Sequence, residues 1–335
     1  MKVSTKNEYG KLKSVIVGRI GGGVWPKEDV FFNRMMELST YPGTLERGPI
    51  PLDIVETTEK ELTIFKNILM ENDVEVYRPE PTNWAHATVD YGHITSGMHS
   101  FSSRDLLLSI GNMVIECPTP FLSRQHEFKC FDEIKQQAIK DGCRWIAAPR
   151  ARMENKEMVI VDSKMKLTER YPIFDAANVM KIDDKLLYLV SGTANKSGAK
   201  WLQNVVGTEF EVVVWEDVYA HAHIDSTLIS LAKNKILING TRVNDDTLPG
   251  FMKDYEKIWV KEIEDKSFYK FPYASKWIGM NILSIDPETV IVDSTFQSLI
   301  GKLQDNKFKV IETPMTHSRT LGGGFHCITC DLERE

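Results

Sequence analysis

The sequence lacks the features that would place the protein in a membrane or on a nucleic acid. It has no apolar stretch that approaches the length of a membrane span, and its first residues contain no apolar core like that of a signal peptide. It also lacks a basic cluster, and its formal net charge is −6, which argues against a nucleic-acid surface. We therefore expect a cytoplasmic protein without membrane or nucleic-acid partners. An acidic pocket for a cationic small molecule would suit this charge balance.

Cysteine is also scarce, and its distribution does not indicate a disulfide scaffold. The chain has 335 residues and five cysteines, an odd number. Cys327 and Cys330 have the Cys-x-x-Cys spacing of some redox and metal sites, but no second cysteine pair accompanies them. His221 and His223 would point to the same side of an extended segment, yet no third metal ligand is evident beside them. The sequence therefore favours a protein without a bound metal.

What the sequence does contain is a repeated pattern of β-hairpin, amphipathic helix and one further strand. Four continuous copies span residues 104–148, 185–215, 228–261 and 281–312. A fifth copy is split, with a strand at 14–18, a helix at 58–71 and a strand at 73–77, and its second hairpin strand is not evident. Repeats of this length usually form solenoids, propellers or rings, because one unit alone cannot bury its apolar face. We expect one α/β domain over residues 1–335, a closed ring of five ββαβ units; the alternative is an ordinary α/β sheet with chance spacing.

The most turn-rich stretch of the chain is the long arm at residues 21–51. At about 30 residues, it exceeds the usual length of a connection. The arm is therefore a candidate lid over a site or a candidate interface element.

The densest chemical signal is the glycine-rich run that precedes Cys327. Three glycines at 322–324 permit close backbone approach, so we expect the Cys327 thiol to be accessible to a substrate. A nucleophilic thiol needs a neighbouring base or cation and a proton donor for the leaving group. His223 is the best candidate for that partner, although a histidine that only caps a turn is the plainer alternative.

Three aspartates occupy matching places in the repeat. Asp105, Asp175 and Asp225 each stand just before, or at the entrance to, a unit's hairpin. A single aspartate there is more often a turn or capping residue, but recurrence at the same place in separate units favours a shared site. Three carboxylates around one histidine and one cysteine would hold a planar cation, since a carboxylate pairs with a guanidinium through two hydrogen bonds.

Such a site predicts a specific reaction. Cys327 would attack the guanidinium carbon, His223 would give a proton to the departing amine, and a covalent amidino-cysteine would form. Water or an amine would then attack the intermediate, which decides between a hydrolase and a transferase.

Segments spread over nearly the whole chain match one known family: 7–9, 15–19, 104–105, 111–118, 147–149, 174–177, 223–227, 275–281 and 322–327. In these segments the chain resembles the arginine amidinotransferases of the pentein, or guanidino-group-modifying, superfamily. The last of these, Gly-Gly-Gly-Phe-His-Cys, is nearly diagnostic. The resemblance implies a five-bladed pseudosymmetric α/β propeller of ββαβ units, in agreement with the repeat.

The resemblance also implies roles for individual residues. Cys327 would be the nucleophile, His223 the general acid and base, and Asp175 the partner that orients His223. Asp105 and Asp225 are similar to the carboxylates that bind the guanidinium. Arg242 stands where the family has an arginine for the substrate's α-carboxylate, and Ser275 would assist.

The implied reaction is a ping-pong transfer. L-arginine gives its amidino group to Cys327, L-ornithine leaves, and an acceptor amine takes the group, without metal or organic cofactor. Before the His-Ile-Asp segment, this chain has Ala220 and Ala222, where glycine-specific members have larger polar or thioether side chains; we therefore expect an acceptor larger than glycine. A homodimer is a further expectation. The rival functions are an arginine hydrolase (deiminase or dihydrolase) of the same superfamily and a non-enzymatic binding ring.

Overall fold

The architecture is a set of small three-stranded sheets that share one topology. The computed structural model describes residues 1–39, 41, 43–86, 88–90 and 93–335. In each such sheet two strands form an antiparallel pair and the third lies parallel to the middle strand. We number the sheets in chain order by their middle strands, except that the split copy is the fifth sheet. The first sheet contains Leu107–Ile110, Met113–Glu116 and Arg144–Ala147; the second Val179–Ile182, Lys185–Leu189 and Glu211–Trp215; the third Leu228–Ala232, Lys235–Asn239 and Glu256–Val260; the fourth Leu283–Asp286, Thr289–Asp293 and Lys309–Thr313; and the fifth Thr329–Arg334, Leu12–Val17 and Glu75–Tyr77.

In the first and second sheets, the first two strands are more buried than the third. The first two strands of the first sheet are buried at every position, whereas the third strand, Arg144–Ala147, is exposed at both ends. The same gradient holds in the second sheet, where Glu211–Trp215 is the partly exposed strand. Strands buried on both faces read as nearly continuous apolar runs, which is why the hairpins were easy to recognise in the sequence.

Helices join the second and third strands of four sheets and pack on them. Their bounds are Asp132–Lys140, Lys196–Val206, Gln297–Asp305 and, in the fifth sheet, Leu52–Glu71. The predicted helix 126–140 is α-helical only from Asp132, after a 3-10 segment at Leu122–Phe131. The remaining short helical segments of the described chain are Ser103–Leu106, Asn155–Glu157, Ala176–Asn178, Ile224–Ser226, Gly250–Met252, Lys276–Met280 and Ser318–Leu321.

The prediction of a helix in every unit is wrong for the third sheet. Its second and third strands are joined only by the 3-10 turn Gly250–Met252. The Asn244 side chain accepts hydrogen bonds from the backbone of Asp246 and Thr247, and Pro249 follows. An Asx turn and a proline both compete with helix formation, so the connection stays irregular.

The strand that the sequence left unassigned in the fifth sheet comes from the other end of the chain. Thr329–Arg334 pairs antiparallel with Leu12–Val17, and Leu12–Val17 pairs parallel with Glu75–Tyr77. The fifth sheet therefore has the same topology as the others, although its first strand is the last in the chain. Cys327 lies two residues before this closing strand.

The arm at residues 21–51 has structure of its own. Val24–Trp25 pairs with Gly48–Pro49, and the helix Val30–Glu37 lies between them. The helix begins at Asp29, whose carboxylate accepts hydrogen bonds from the backbone of Phe31 and Phe32. Two further strand pairs, Thr88–Asp90 with His93–Thr95 and Met158–Val161 with Lys164–Leu167, stand outside the three-stranded sheets.

Buried charges cross-link the sheets near the first strands. Arg104 binds Glu8 and Asp331, Lys181 lies 3.5 and 3.6 Å from the same two carboxylates, and Arg334 also binds Asp331. All five cysteines are free thiols. Within the described residues, no helix is both long enough and apolar enough to cross a membrane.

Candidate active site

Four residues singled out in the sequence, together with Asn281, sit at equivalent places in the fold, just before the first strand of a sheet. Asp105 lies two residues before the first sheet, Asp175 four before the second, and Asp225 three before the third. Asn281 and Cys327 each lie two residues before the fourth and fifth sheets. Each of the five sheets thus contributes one of these side chains.

His223 is held between two carboxylates. Its Nε2 lies 2.9 Å from Asp175 Oδ2 and its Nδ1 lies 3.5 Å from Asp105 Oδ1. Burial opposes protonation of the ring, but the charge of Asp105 and the hydrogen bond and charge of Asp175 outweigh it and raise the pKa of His223 to about 9. At neutral pH the ring is therefore an imidazolium, which can donate a proton.

Cys327 is surrounded by one carboxylate and one amide. Its Sγ lies 3.1 Å from Asp225 Oδ2, and Asn281 Nδ2 donates a hydrogen bond to the same sulfur over 3.1 Å. The other end of the Asn281 amide, Oδ1, accepts from the Cys327 backbone N–H at 2.8 Å. Burial first, and then the charges of Asp225 and Asp105, raise the pKa of the thiol well above its usual value. In the absence of substrate the sulfur is therefore a neutral thiol.

Cys327 is only 2% exposed, but it lines the cavity described below, so a substrate would reach the thiol through the cavity and not at the protein surface. The glycines before it let the loop press against its neighbours. A Cβ at Gly323 would lie 2.9 Å from Ser102 Oγ, and one at Gly324 would lie 2.8 Å from the Asn281 side chain. The glycines bury the sulfur beneath a cavity instead of exposing it at the surface.

Asp225 is ionised in spite of its burial. His326 Nδ1 lies 3.1 Å from Asp225 Oδ2, the oxygen that also contacts Cys327. Burial opposes ionisation, but the hydrogen bond and charge of His326 and the charge of His223 lower the pKa of Asp225 to about 2. The carboxylate keeps its charge for a cationic ligand.

Asp105 is anchored by an arginine that the sequence analysis missed. Arg124 Nη1 donates to Asp105 Oδ2 at 2.5 Å, its Nε donates to Glu127 at 3.0 Å and its Nη2 donates to the Ser102 carbonyl at 2.9 Å. These contacts leave Asp105 Oδ1 with no hydrogen-bond partner. Arg124 therefore holds Oδ2 of the carboxylate in place, and Oδ1 faces His223.

Asn281 was also missed, although a signal was present. It lies at the same place in the fourth unit as Asp105 in the first, and it falls inside a segment that carried the family resemblance. An amide is not ionisable, so a pattern of ionisable side chains does not include it. Arg124 offered no comparable signal, because it lies 19 residues from its partner Asp105, in a 3-10 segment outside the repeated places.

Of the two residues predicted to bind the substrate's α-carboxylate, Ser275 lines the cavity and Arg242 does not. Arg242 Nη1 donates to the backbone and hydroxyl oxygens of Ser226 and to Thr227 Oγ1, and its guanidinium lies 3.6 Å from the ring centre of Tyr219. Ser226, Tyr219 and Ser275 line the cavity, whereas Arg242 stands behind the first two. Burial lowers the pKa of Arg242.

A cavity of about 280 Å³ opens above these groups. Asp105, His223, Asp225 and Cys327 line it, while Asp175 lies behind His223 and is fully buried. The arm supplies part of the wall through Phe32, Met35, Met36, Leu38, Ser39 and Tyr41. Tyr273 stacks against both Trp25 and Phe32, so aromatic contacts join the arm to the opposite wall. The volume suits a small molecule.

One cluster of the described residues could also hold a metal ion. Ligand atoms of Asp105, His223 and Cys327 lie within 4.8 Å of one another. To bind a metal, however, His223 would have to offer the lone pair of an unprotonated ring nitrogen. Both of its nitrogens face carboxylates, and the pKa of the ring is raised to about 9. The same group of atoms is better arranged for an organic cation.

Comparisons with known proteins identify relatives along the whole chain, although no protein-family model matches it. Inosamine-phosphate amidinotransferase 1 of Streptomyces griseus is 36% identical over 340 residues, which cover 99% of this chain and 97% of the relative. A solved structure of an inosamine-phosphate amidinotransferase from the same organism matches with a TM-score of 0.94 at 36% identity and the same coverage. The L-arginine:L-lysine amidinotransferase of Pseudomonas savastanoi pv. phaseolicola is 28% identical, with 99% of this chain and 94% of the relative covered.

A more distant likeness concerns the fold alone. Dimethylarginine dimethylaminohydrolase from Pseudomonas aeruginosa matches with a TM-score of 0.62 at 16% identity, over 96% of this chain and 99% of that one. Together these likenesses show an α/β fold of the pentein type.

Proposed function

Because the chain belongs to the amidinotransferase family, we propose that it transfers the amidino group of L-arginine through Cys327 to an acceptor amine larger than glycine and releases L-ornithine. The observation that carries this proposal is the position of the Cys327 sulfur below a cavity that Asp105, His223 and Asp225 also line.

The first step is binding of the arginine side chain. Asp225 and the free oxygen of Asp105 grip the guanidinium and place its central carbon against the sulfur. The cation also offsets the two charges that raise the pKa of Cys327. The thiol then loses its proton to solvent, and substrate binding itself generates the nucleophile.

The second step breaks the bond between the guanidinium carbon and the side-chain nitrogen of arginine. The thiolate adds to the carbon, and the His223 imidazolium gives its proton to the leaving nitrogen, so that neutral ornithine amine departs. Asp175 holds the ring by its Nε2 in this step. The products are an amidino-cysteine and a neutral His223.

The acceptor then enters the place that ornithine has left. Neutral His223 takes a proton from the acceptor nitrogen as this atom attacks the amidino carbon. The carbon–sulfur bond breaks, the guanidino product leaves, and Cys327 regains a proton from solvent. Arg242 and Ser275 are proposed to bind the α-carboxylate of arginine; Ser275 lines the cavity, and Arg242 lies beside its wall.

Ala222 supports an acceptor larger than glycine. It lines the cavity next to His223, and a methyl side chain there leaves room that a thioether would fill. The relatives named above are called inosamine-phosphate and L-lysine amidinotransferases, and both of these acceptors are larger than glycine. The hydrolase alternative has less support, since its named representative shares only the fold.

The proposal includes the arrangement of the whole chain. We infer that the five sheets form a five-bladed pseudosymmetric propeller within one domain over residues 1–335, with the active site at its hub. The equivalent positions of Asp105, Asp175, Asp225, Asn281 and Cys327 support this arrangement. A cytoplasmic homodimer remains a prediction from the sequence.

The decisive experiment is a product assay with arginine and a panel of amines. We expect ornithine and a guanidino product, both detected by mass, to form together when an amine is present. Without an amine, no more than one equivalent of ornithine per enzyme should form. A Cys327→Ser protein should form neither. Citrulline or ammonia formed from arginine without an amine would instead establish a hydrolase, and a preference for glycine over every larger amine would refute the larger acceptor.

A further inference from the structure

A second pocket adjoins the catalytic cavity and has no assigned role. It has a volume of about 310 Å³ and lies between the end of the arm helix, the turn of the strand pair Met158–Val161 and Lys164–Leu167, and segment 218–221. Four residues line both spaces: Met35, Leu38, Tyr219 and His221. A ligand that extends past these shared walls would occupy both.

The two spaces differ in charge. The catalytic cavity is lined by Asp105 and Asp225, and its one arginine among the described residues, Arg124, is committed to Asp105, Glu127 and a carbonyl oxygen. The adjoining pocket is lined by no carboxylate of the described chain and by one lysine, Lys164.

Lys164 is available to a ligand. It forms no ion pair in the described part of the chain, whereas nearby Arg170 binds Glu157 and Lys156 binds Glu154. Asp162, in the same turn, does not line the pocket. A molecule that spans both spaces therefore meets the carboxylates of Asp105 and Asp225 at the catalytic end and the ammonium group of Lys164 at the far end.

We propose that this adjoining pocket is a subsite for the acceptor, and that the acceptor is an amine with an anionic group, a carboxylate or a phosphate, at the end remote from its nitrogen. The inference rests on the proposed function and adds the chemical class of the acceptor. The amine enters the cavity beside His223, the body of the acceptor lies along Tyr219 and Met35, and the anion pairs with Lys164. Ala220 lines the pocket, and its small side chain leaves room for the acceptor body.

The test compares acceptors that differ only in the remote charge. The probes are ω-amino carboxylates of graded length with their carboxamides, and a phosphorylated aminocyclitol with its unphosphorylated form. For each pair, the ratio of kcat/KM values is measured at saturating arginine. We expect wild type to prefer the anionic member. Lys164 is exposed, so Lys164→Gln should reduce that preference by up to roughly fivefold, as for an exposed ion pair of at most about 1 kcal/mol, and Lys164→Glu should reverse it.

Lys166→Gln is the matched control. Lys166 is an exposed lysine on the same strand that lines neither space, so its loss changes the net charge equally but should leave the ratio unchanged. Ala220→Phe, which fills the pocket, should lower kcat/KM for the long acceptors more than for glycine.

Three outcomes would overturn the subsite: no preference for the anionic member in wild type, an equal loss in Lys166→Gln, or an equal effect of Ala220→Phe on long and short acceptors. Each of these leaves amidino transfer itself intact. If no amine accepted the group and arginine were hydrolysed instead, the proposed function would fail and the subsite with it.

Discussion

At the scale of single residues, Asp225 has two opposing effects on Cys327. It provides a carboxylate for the substrate cation, but before the substrate binds its charge contributes to raising the pKa of the thiol. A nucleophile that is protonated until the cation arrives is protected from alkylation and oxidation, which require the thiolate.

This opposition predicts that Asp225→Asn separates reactivity from catalysis. Removal of the charge should lower the pKa of Cys327, so iodoacetamide should alkylate it faster at neutral pH than in wild type. Amidino transfer should fall by about two orders of magnitude or more, because the guanidinium loses a carboxylate that holds its central carbon against the sulfur. Alkylation is followed by mass, and Asp225→Asn combined with Cys327→Ser identifies the reacting sulfur. Slower alkylation of Asp225→Asn would contradict the assigned electrostatics.

The raised pKa of His223 leads to a prediction on pH dependence. The imidazolium is the acid that releases ornithine, so at saturating arginine the single-turnover rate should fall on the alkaline side, as the ring loses its proton. Asp175 favours the protonated ring. Asp175→Asn should therefore lower the pKa of His223 and bring the fall to lower pH.

The control for this profile is Asp162→Asn, an exposed turn residue outside both spaces. Its profile should match wild type. If Asp175→Asn slowed the reaction equally at every pH, Asp175 would act on the ring's orientation alone, and a profile with no alkaline fall in wild type would remove His223 from the role of acid.

Single residues of the site could be predicted from the sequence only where a local or repeated pattern marks them. Asp105, Asp175 and Asp225 recur at one place in a repeat, so the pattern brings them together before any coordinates are known. Cys327 is marked instead by the glycine-rich run before it. Arg124 and His326 contact these residues from irregular or unrepeated positions. Their roles depend on three-dimensional packing that periodicity does not encode.

At the scale of elements, the arm shows how an irregular segment becomes a wall of the site. Its helix Val30–Glu37 is fixed by Asp29, which accepts hydrogen bonds from the backbone of Phe31 and Phe32 and from the backbone and hydroxyl of Ser123. Asp29 is completely buried, and burial raises its pKa. The carboxylate thus joins the arm to the segment that carries Arg124.

Asp29→Ala should loosen this wall. Loss of the helix cap and of the contacts to Ser123 should reduce the free energy of unfolding by about 2 kcal/mol or more, measured by urea denaturation. KM for arginine should rise more than kcat falls, because Phe32 and Met35 line the cavity while the reacting groups lie elsewhere. Asp53→Ala, in an exposed first turn of helix Leu52–Glu71, is the control. If Asp29→Ala lost the expected stability but kept the KM of wild type, the arm would be a structural element only.

Elements were predictable where local pattern decides them. The hairpins were recognised from apolar runs and turn residues, and four of the five helices from their position and amphipathic pattern. The third unit departs from the pattern because Asn244 and Pro249 favour a turn. The closing strand Thr329–Arg334 has no local signal for its partner, which lies more than 300 residues away along the chain.

At the scale of the whole molecule, that strand decides how the chain closes. Its residues contact the first residues of the chain as well as Leu12–Val17: Ser4 donates to the Leu332 carbonyl, Arg334 donates to Ser4, and Lys2 pairs with Glu333. The two ends of the chain therefore meet on one sheet. If the five sheets form a ring, as proposed, the position of the chain break within it is arbitrary.

This symmetry predicts that a circular permutant will fold and remain active. A flexible linker of about eight residues is long enough to join Glu335 to Met1, and new ends can be placed between Pro149 and Arg150, both exposed and outside the sheets. We expect amidino transfer within about threefold of wild type, since exposed connections tolerate new termini. The matched control places the new ends between Ile291 and Val292, inside a fully buried strand; it should not fold, as judged by circular dichroism and size-exclusion chromatography. An inactive first permutant that is nevertheless folded would mean that the register of Thr329–Arg334, and with it the position of Cys327, depends on a free chain end. An unfolded first permutant would count against the closed ring itself.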